Sequence, residues 1–366
     1  MKVIFACGGT GGHIYPALAI AESLKKKADN FEALFAGNKT GMEASIVPQR
    51  GYDFKGIEAR PLIRKFTLEN FKNGVFVIKS VFDALKEVKS FNPDIVVGTG
   101  GFVSFPFVLA AVLTGRKSLI HEPNVYPGLA NRALAAVVTA VTAGFSSGKK
   151  YFPAKKTFIT GNPVREGIIS ADKSAGLKEF GLDPEKKTVL IMPGSRAAKN
   201  INKAMEEALP EIGRSFQNVQ FLWMCGEEQY FALEQSVKNQ GAKNIKVLKF
   251  IDKAELAYAA ADAGVLRAGA GTLTEITACG LPSVLVPYPH ATGNHQEKNA
   301  ASFEENQSAL VIKDKDLTAE TLLNALKKVL DPETGASMRQ KLKSSYPGNG
   351  ADNITDIILN KICLSK

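Results

Sequence analysis

Four glycines and a histidine follow an apolar segment near the start of the chain, in the order Gly8-Gly9-Thr10-Gly11-Gly12-His13. Residues 2–7 have the composition of a buried strand, and residues 16–24 that of a helix with Pro16 in its first turn. Glycines here let the backbone take positive φ and approach a ligand, and amides at a helix start attract diphosphate. His13 at the edge of this loop can act as a base near neutral pH. The alternative is an ordinary turn with an exposed histidine.

A second segment with small residues, 267–276, also precedes a predicted helix. Its backbone amides can hold phosphates, and the Glu275 carboxylate can accept hydrogen bonds from two ribose hydroxyls. The alternative is that Glu275 caps the first turn of that helix. Further along, the Gln296 amide can both donate to and accept from sugar hydroxyls, although a polar helix start explains it as well. The pattern favours a nucleotide sugar as ligand.

No metal site is predicted. His290 and His295 lack a matching carboxylate or cysteine partner, and the four cysteines are scattered, which indicates neither zinc nor disulfides and is typical of a reducing cytosol. Asp314-Lys315-Asp316 imitates a metal-binding Asp-x-Asp motif, but we interpret it as structural, with Asp316 or Thr318 as a helix N-cap.

The charge of the chain is concentrated in its first half. Of 366 residues, 45% are hydrophobic and 22% charged, as in a soluble protein of two ordinary domains. Residues 1–165 carry 22 Lys and Arg against 11 Asp and Glu, whereas residues 166–366 carry 24 and 25. This asymmetry indicates an anionic partner or serves solubility alone. Nucleic acid is not favoured, because we find no face of arginines with stacking aromatics.

Residues 60–89 interleave apolar and basic side chains. This pattern is typical of a surface that binds anionic lipid, and equally of an amphipathic helix that faces a core. We expect no signal peptide, because the apolar residues 3–7 are too short for a signal core. We expect no membrane-spanning segment, because no apolar run approaches roughly 20 residues.

Apolar strand-like segments alternate with helical ones, which predicts an α/β fold with doubly wound parallel sheets. The polarity changes after residues 162–165, so we predict domains at 1–163 and 164–346. The terminal helix, 347–366, can return to either half, and we place it on the first. The candidate strands are 2–6, 32–36, 95–98, 117–121, 137–142, 157–160, 188–192, 220–224, 246–249, 263–266 and 283–286.

Six segments carry a family resemblance, at residues 8–16, 98–104, 121–124, 161–165, 267–275 and 280–282. Together these six segments resemble the MurG family of bacterial glycosyltransferases over nearly the whole chain. It implies a GT-B fold, in which two Rossmann-like domains face each other across a cleft. It also implies inverting, metal-independent and cofactor-free transfer of GlcNAc from UDP-GlcNAc to the C4 hydroxyl of MurNAc in lipid I. The products would be lipid II and UDP, for peptidoglycan biosynthesis.

The resemblance also assigns places and roles. The first domain would bind lipid I at the cytoplasmic face of the inner membrane, on its anionic surface, and the second would hold UDP-GlcNAc. His13 would be the general base, and Gly100, Gly101 and Phe102 would form the acceptor diphosphate loop. The implied donor-binding residues are Thr10, Gly11, Gly12, Asn124, Arg165, Ser195, Ile251, Ala270, Gly271, Thr272, Leu273, Thr274, Glu275 and Gln296. The implied supporting residues are Glu122, Phe250, Arg196 and Arg267. Arg267 and the helix N-termini would together stabilise the departing diphosphate.

One loop departs from the family pattern. The family usually has Gly-Ser-x-Gly-Ala, whereas this chain has Gly194-Ser195-Arg196-Ala197-Ala198 after Pro193. That segment is similar to lipid A disaccharide synthase, another GT-B enzyme, which is one alternative. A non-hydrolysing UDP-GlcNAc 2-epimerase is the other. The basic first half favours a membrane-bound acceptor over a free sugar nucleotide. A nucleic-acid-binding module would fit the charge but not the glycine loops.

Overall fold

A computed structural model describes residues 1–58, 68–165, 167–194 and 199–363, with residues 68–75 described by their backbone alone. The chain divides into two compact units. The first contains Met1–Pro163 and Pro347–Lys366, and the second contains Val164–Tyr346.

The first unit is built on a parallel sheet, because its strands are apolar on both faces and are connected by helices. Among the described residues the sheet has seven strands in the order β3-β2-β1-β4-β5-β6-β7. These are Lys2–Cys7 (β1), Glu32–Asn38 (β2), Asp53–Ile57 (β3), Ile95–Gly100 (β4), Lys117–Glu122 (β5), Ala140–Ala143 (β6) and Thr157–Ile159 (β7). Strand β3, at the edge, is absent from the predicted set.

Helices cover both faces of this sheet. They are Gly11–Lys27 (α1), Glu43–Gln49 (α2), Leu68–Phe91 (α3), Ser104–Leu113 (α4) and Leu129–Leu134 (α5), with 3₁₀ turns at Ser146–Tyr151 and Ala154–Lys156. Helix α1 begins earlier than predicted. Pro16 is its sixth residue rather than part of its first turn, so the hydrogen bond that an amide there would donate to the Gly12 carbonyl is missing. Within the described part of the chain, no helix is long and apolar enough to cross a membrane.

The second unit repeats this architecture. Its sheet, in the residues described, has the order β10-β9-β8-β11-β12-β13. The strands are Lys187–Met192 (β8), Val219–Met224 (β9), Ile245–Leu248 (β10), Ala263–Leu266 (β11), Ser283–Leu285 (β12) and Leu310–Val311 (β13). The helices are Lys173–Phe180 (α6), Lys199–Ser215 (α7), Tyr230–Asn239 (α8), Ala254–Ala260 (α9), Ala270–Cys279 (α10), His295–Glu305 (α11), Ala319–Leu330 (α12) and Pro332–Ser345 (α13), with 3₁₀ turns at Thr292–Asn294 and Asp314–Asp316.

The strand order determines where ligands bind. In each sheet the order reverses beside the first strand, between β1 and β4 in one unit and between β8 and β11 in the other. Open α/β sheets bind ligands outside the carboxyl ends of the strands at such a reversal. The glycine-rich loops after β1, β4 and β11 lie at these two points, and so does Gly194 after β8.

The end of the chain belongs to the first unit. Gly350–Ile357 (α14) packs on α1, and a π-helical segment, Ile358–Cys363, continues it. The Ser23 hydroxyl donates to Asp352 at 2.7 Å, and Lys27 Nζ lies 2.9 Å from the Asp356 carboxylate. Ile354, Ile358 and other apolar residues of this segment complete the core beside α1.

Candidate active site

His13 lies where two glycine-rich loops meet at the carboxyl edge of the first sheet. Its Nδ1 is 3.1 Å from the carbonyl oxygen of Thr99, and the Thr99 hydroxyl donates to the His13 carbonyl oxygen at 2.7 Å. His13 belongs to the first turn of α1, after β1, whereas Thr99 belongs to β4. Because β1 and β4 are neighbours, residues 86 positions apart hold the ring.

This contact selects a tautomer of the imidazole. A carbonyl oxygen only accepts hydrogen bonds, so the proton lies on His13 Nδ1 and the lone pair of the neutral ring lies on Nε2. If Nε2 then takes a proton, the charged ring keeps its Nδ1–H bond to Thr99, and a hydrogen bond from a charged donor is stronger. The half-buried side chain is therefore held in the form that a general base requires.

Two glycines allow the loops to approach each other. A Cβ atom at Gly100 would lie 2.4 Å from His13 Nδ1, and one at Gly101 would lie 2.3 Å from the Gly8 carbonyl oxygen. Both residues also have positive φ, +114° and +85°. Phe102 follows with its ring alongside Gly9. The predicted acceptor loop is thus brought directly to the predicted base.

The first loop uses its glycines differently from the prediction. Of the glycines in residues 8–12, all of which the structure describes, only Gly9 has a positive φ, +86°. Gly8 is instead a position without room for a side chain, because a Cβ atom there would lie 2.2 Å from Glu43 Oε1. Thr10 is the N-cap residue of α1, and Thr10, Gly11 and Gly12 lie at or near the surface next to His13. Their accessibility is compatible with a bound sugar or phosphate.

Glu122 at the end of β5 organises the loop that carries Asn124. Its buried carboxylate accepts hydrogen bonds from the Asn124 amide at 3.0 Å, the Gly128 amide at 3.0 Å and the Asn131 side chain at 2.9 Å. Burial raises the pKa of Glu122, and these hydrogen bonds oppose the rise. Glu122 therefore acts on Asn124, which is half-buried, rather than presenting its own charge to a ligand.

A buried histidine network close to this loop was not assigned a role from the sequence. His121 Nε2 donates to the Asn162 side-chain oxygen at 2.9 Å, and Asn162 in turn donates to the Pro123 carbonyl at 3.0 Å. Burial lowers the pKa of His121 to about 4. His121 and Asn162 lie in segments that carry the family resemblance. That resemblance was the signal in the sequence that could have pointed to them. The network joins the segment that follows β7 to the end of β5.

In the second unit, Glu275 and Arg165 form an ion pair. Helix α10 starts after its N-cap Gly269, and Glu275 lies in its second turn with 6% of the side chain exposed. Arg165 Nε is 2.8 Å from Glu275 Oε1, and the arginine side chain is 61% exposed. Burial raises the pKa of Glu275, and Arg165 opposes the rise. The alternative that Glu275 caps the first turn is wrong, because that turn of α10 contains no acidic residue.

The start of α10 and the start of α11 lie together. The Gln296 side-chain oxygen accepts from the Tyr288 amide at 2.9 Å, and its Nε2 lies near Gly269. The Asn299 side chain donates to the Ala268 carbonyl at 3.2 Å. Ala270, Gly271 and Thr272 open the helix at accessible positions, whereas Leu273, Thr274 and Glu275 are buried. The predicted phosphate, ribose and sugar contacts are therefore neighbours around one helix end.

Arg267 does not have the surroundings expected of a diphosphate ligand. Its guanidinium is buried, pairs with the Asp314 carboxylate, and donates to the Val286 carbonyl at 3.1 Å. Asp314 also accepts from Asn200 at the start of α7. With its charge balanced by Asp314, Arg267 joins the segments that follow β11, β12 and β13 within the unit. The arrangement therefore corrects the predicted role.

The structure describes the residues that are predicted to contact uracil, but not those that are predicted in the second phosphate loop. Ile251 is buried after β10, whereas Phe250 beside it is 60% exposed, and both line a small depression together with Phe180 and Leu248. The residues predicted in the loop after β8, Ser195 and Arg196, lie outside the described residues.

Asp314-Lys315-Asp316 is structural, as predicted. Asp314 pairs with Arg267, and Thr318 is the N-cap of α12 in a reciprocal capping box with Thr321. Nowhere in the described ranges do three or more His, Cys, Asp or Glu residues form a group that could hold a metal ion.

Comparison with known proteins agrees with this geometry. Residues 3–143 match the glycosyltransferase family 28 N-terminal domain, and residues 188–353 match the family 28 C-terminal domain. The UDP-N-acetylglucosamine--N-acetylmuramyl-(pentapeptide) pyrophosphoryl-undecaprenol N-acetylglucosamine transferase of Halothermothrix orenii is 43% identical over 94% of both chains. The protein of the same name from Desulforamulus reducens is 40% identical over 98% of this chain and 97% of its own.

Solved structures give the same result. The crystal structure of MurG from Acinetobacter baumannii superposes with a TM-score of 0.82 at 28% identity, covering 98% of this chain and 99% of that one. A putative UDP-N-acetylglucosamine 2-epimerase from Listeria monocytogenes superposes with a TM-score of 0.65 at 17% identity, over 98% of this chain and 95% of its own, which shows a shared fold alone. The predicted GT-B fold class is confirmed, and the chain belongs to glycosyltransferase family 28, within the group of MurG N-acetylglucosaminyltransferases.

Proposed function

We propose that this chain transfers GlcNAc from UDP-GlcNAc to the C4 hydroxyl of MurNAc in lipid I, with inversion at the anomeric carbon. The observation that carries the proposal is His13, held by Thr99 in the tautomer of a base where the two glycine-rich loops meet. The names of its relatives, which match over nearly their whole length, supply the donor and acceptor. The products are lipid II and UDP, and the reaction contributes to peptidoglycan synthesis.

The chemistry follows from the base and from the helix end. His13 Nε2 accepts the proton of the C4 hydroxyl as its oxygen bonds to the anomeric carbon, and the bond from that carbon to the UDP oxygen breaks. The amides at the start of α10 stabilise the negative charge on the departing diphosphate, and Ser195 in the loop after β8 adds a hydroxyl. We propose that this stabilisation needs no metal ion. Gly100, Gly101 and Phe102 hold the acceptor diphosphate.

The second unit holds the donor. The Glu275 carboxylate accepts from the ribose hydroxyls, and because it is already paired with Arg165, donor binding engages both groups. Gln296 contacts sugar hydroxyls next to the start of α10, and the backbone at Ile251 reads the uracil beside Phe250. Asn124, held by Glu122, contacts the donor from the first unit.

The acceptor is a membrane lipid, and α3 offers a surface for the membrane. Ile78 and Phe82, one turn apart, are exposed by 61% and 67%. Lys79 and Lys86 are exposed beside them, whereas Ala84 and Val88 face the core. Residues 60–67 of the predicted basic segment lie outside the described residues, and residues 68–75 are described by their backbone alone. We propose peripheral binding to the anionic cytoplasmic face of the inner membrane, by apolar insertion and basic attraction together.

The test is UDP release from UDP-GlcNAc with and without a soluble lipid I analogue, in EDTA. The proposal expects release only with the analogue, undiminished by EDTA, and a disaccharide product of the corresponding mass. UDP release without acceptor, together with a 2-epimerised sugar, would instead indicate an epimerase. His13→Ala should lower kcat by roughly 10²–10⁴-fold with UDP binding retained, and near-normal turnover would remove His13 from the role of base.

A further inference from the structure

Glu43 is a fully buried carboxylate that the proposed reaction does not use. It begins α2 and has 0% exposure. Its Oε1 accepts a hydrogen bond from the Asn38 amide at 2.8 Å, and its Oε2 accepts one from the Gly9 amide at 3.3 Å. One carboxylate therefore joins the end of β2 to the loop that follows β1, across 34 residues of sequence.

The surrounding glycines make room for this side chain. A Cβ atom at Gly8 would lie 2.2 Å from Glu43 Oε1, and one at Gly37 would lie 2.3 Å from Glu43 Cγ. Neither glycine has a positive φ, so backbone conformation does not require glycine at these positions. The requirement is space for the carboxylate. Burial raises the pKa of the Cys7 thiol, and the adjacent Glu43 carboxylate raises it further, as expected for a negative charge beside the end of β1.

The contacts continue from Glu43 to the catalytic histidine. Gly8 is in contact with Glu43, and its carbonyl oxygen meets Gly101 closely. Gly100, the neighbour of Gly101, meets His13 Nδ1. The carboxylate, the first loop, the second loop and the imidazole thus form one packed series. Because protein interiors are close-packed, a shift at one member is transmitted to the next.

We propose that Glu43 is a positioning residue for the glycosyl transfer proposed above, on which this inference rests, and that it acts by fixing the loop of residues 8–12 and thereby the ring of His13. A carboxylate suits this role because each oxygen only accepts, and each one meets a backbone amide donor. Glutamine at the same position has one such oxygen. Its NH₂ group would face either the Asn38 or the Gly9 amide, which leaves a buried donor without an acceptor.

The first test compares Glu43→Gln with Glu22→Gln, a matched change at a half-exposed glutamate of α1. We expect kcat of Glu43→Gln to fall roughly 10- to 100-fold. The affinity for UDP should change by less than about twofold, because the proposed contacts with uridine and diphosphate lie in the second unit. The fall should largely disappear when both chains also carry His13→Ala, since the loop acts through the histidine. An equal fractional fall with and without His13, or no fall, would overturn the proposal.

The second test needs no turnover. Amide hydrogen exchange in a peptide spanning residues 8–13 should be faster in Glu43→Gln than in Glu22→Gln, with exchange in β8 of the second unit unchanged. Unchanged exchange at residues 8–13 would overturn the proposal even if the wild-type chain proved to have a different activity. If the wild-type chain transfers no GlcNAc, the proposed function is rejected. The hydrogen-exchange result then decides by itself whether Glu43 fixes the loop of residues 8–12. If Glu43→Gln does not fold, Glu43→Asp, which keeps the charge but reaches one amide, takes its place. Failure of both to fold would assign Glu43 to stability and overturn the proposal.

Discussion

Substitution of Gly100 by alanine tests how strictly the second glycine loop positions the base. The new Cβ would lie 2.4 Å from His13 Nδ1, whereas ordinary van der Waals contact begins at 3.4 Å. The imidazole must therefore move by about 1 Å, or the loop must move away from it. Either shift breaks the bond between His13 and Thr99 that selects the tautomer.

The size of the effect follows from that displacement. A misplacement of about 1 Å at a reacting group can lower the rate about 10²-fold, which equals about 2.7 kcal/mol of activation free energy. The donor should bind normally, because its predicted contacts are mainly in the second unit. Alanine at the positive φ of Gly100, +114°, also costs stability, by roughly 1–3 kcal/mol.

Gly115→Ala is the matched control for that backbone cost. Gly115 also has a positive φ, +69°, and a Cβ there would meet nothing within 4 Å. The assay is acceptor-dependent UDP release at saturating substrates, with UDP affinity measured by calorimetry and stability by thermal unfolding. We expect both variants to lose stability and only Gly100→Ala to lose kcat. Equal kcat in the two folded variants would refute the positioning of His13 by Gly100.

Three further outcomes are expected. Glu275→Ala should weaken UDP binding by roughly 10- to 100-fold, because hydrogen bonds to charged groups contribute about 1.5–3 kcal/mol; unchanged affinity by calorimetry would contradict the ribose contact. Phe82→Glu should weaken sedimentation with anionic vesicles by at least about tenfold, with turnover of a soluble acceptor retained, and equal vesicle binding would exclude this face of α3. Burial lowers the pKa of His121 to about 4 from an ordinary 6.5. As the pH drops from about 6.5 to 4, the unfolded chain therefore binds the proton before the folded chain does, and the free energy of unfolding falls by about 3 kcal/mol. Urea unfolding of His121→Asn across this range should show a smaller pH dependence, and an identical one would contradict the assignment.

The strands of the two sheet centres could be predicted because their signal is local. Residues 3–6, 95–97 and 189–192 are continuous apolar runs, which strands covered on both faces require. The edge strand Asp53–Ile57 was missed because its polar and apolar residues alternate, and Leu310–Val311 was missed because two residues carry no pattern. The start of α1 was misjudged because Pro16 looks like a first-turn residue, although the helix begins five residues earlier.

The residues of the candidate site likewise divide into those that the sequence could predict and those that it could not. The residues at helix starts after glycine loops, His13 and Glu275 above all, could be chosen from the sequence because chemistry and turn signals coincide in a few adjacent positions. Arg267 was assigned to the diphosphate because an arginine beside such a loop is usually a phosphate ligand. Its actual partner, Asp314, is 47 residues away and is brought close by the order of β11, β12 and β13.

The sequence by itself determined the class of fold, the family and the segments that carry the chemistry, because periodicity, glycine spacing and helix starts are properties of neighbouring residues. Tertiary structure alone decided which tautomer His13 holds, what Arg267 pairs with, and that Glu43 lies beneath the first loop. Glu43 looks like an ordinary acidic residue in the first turn of a helix. Its role depends on Gly9 and Gly37, which only the parallel pairing of β1 with β2 brings to the same place. Contacts of this kind leave no local pattern, since they arise from close packing between distant segments.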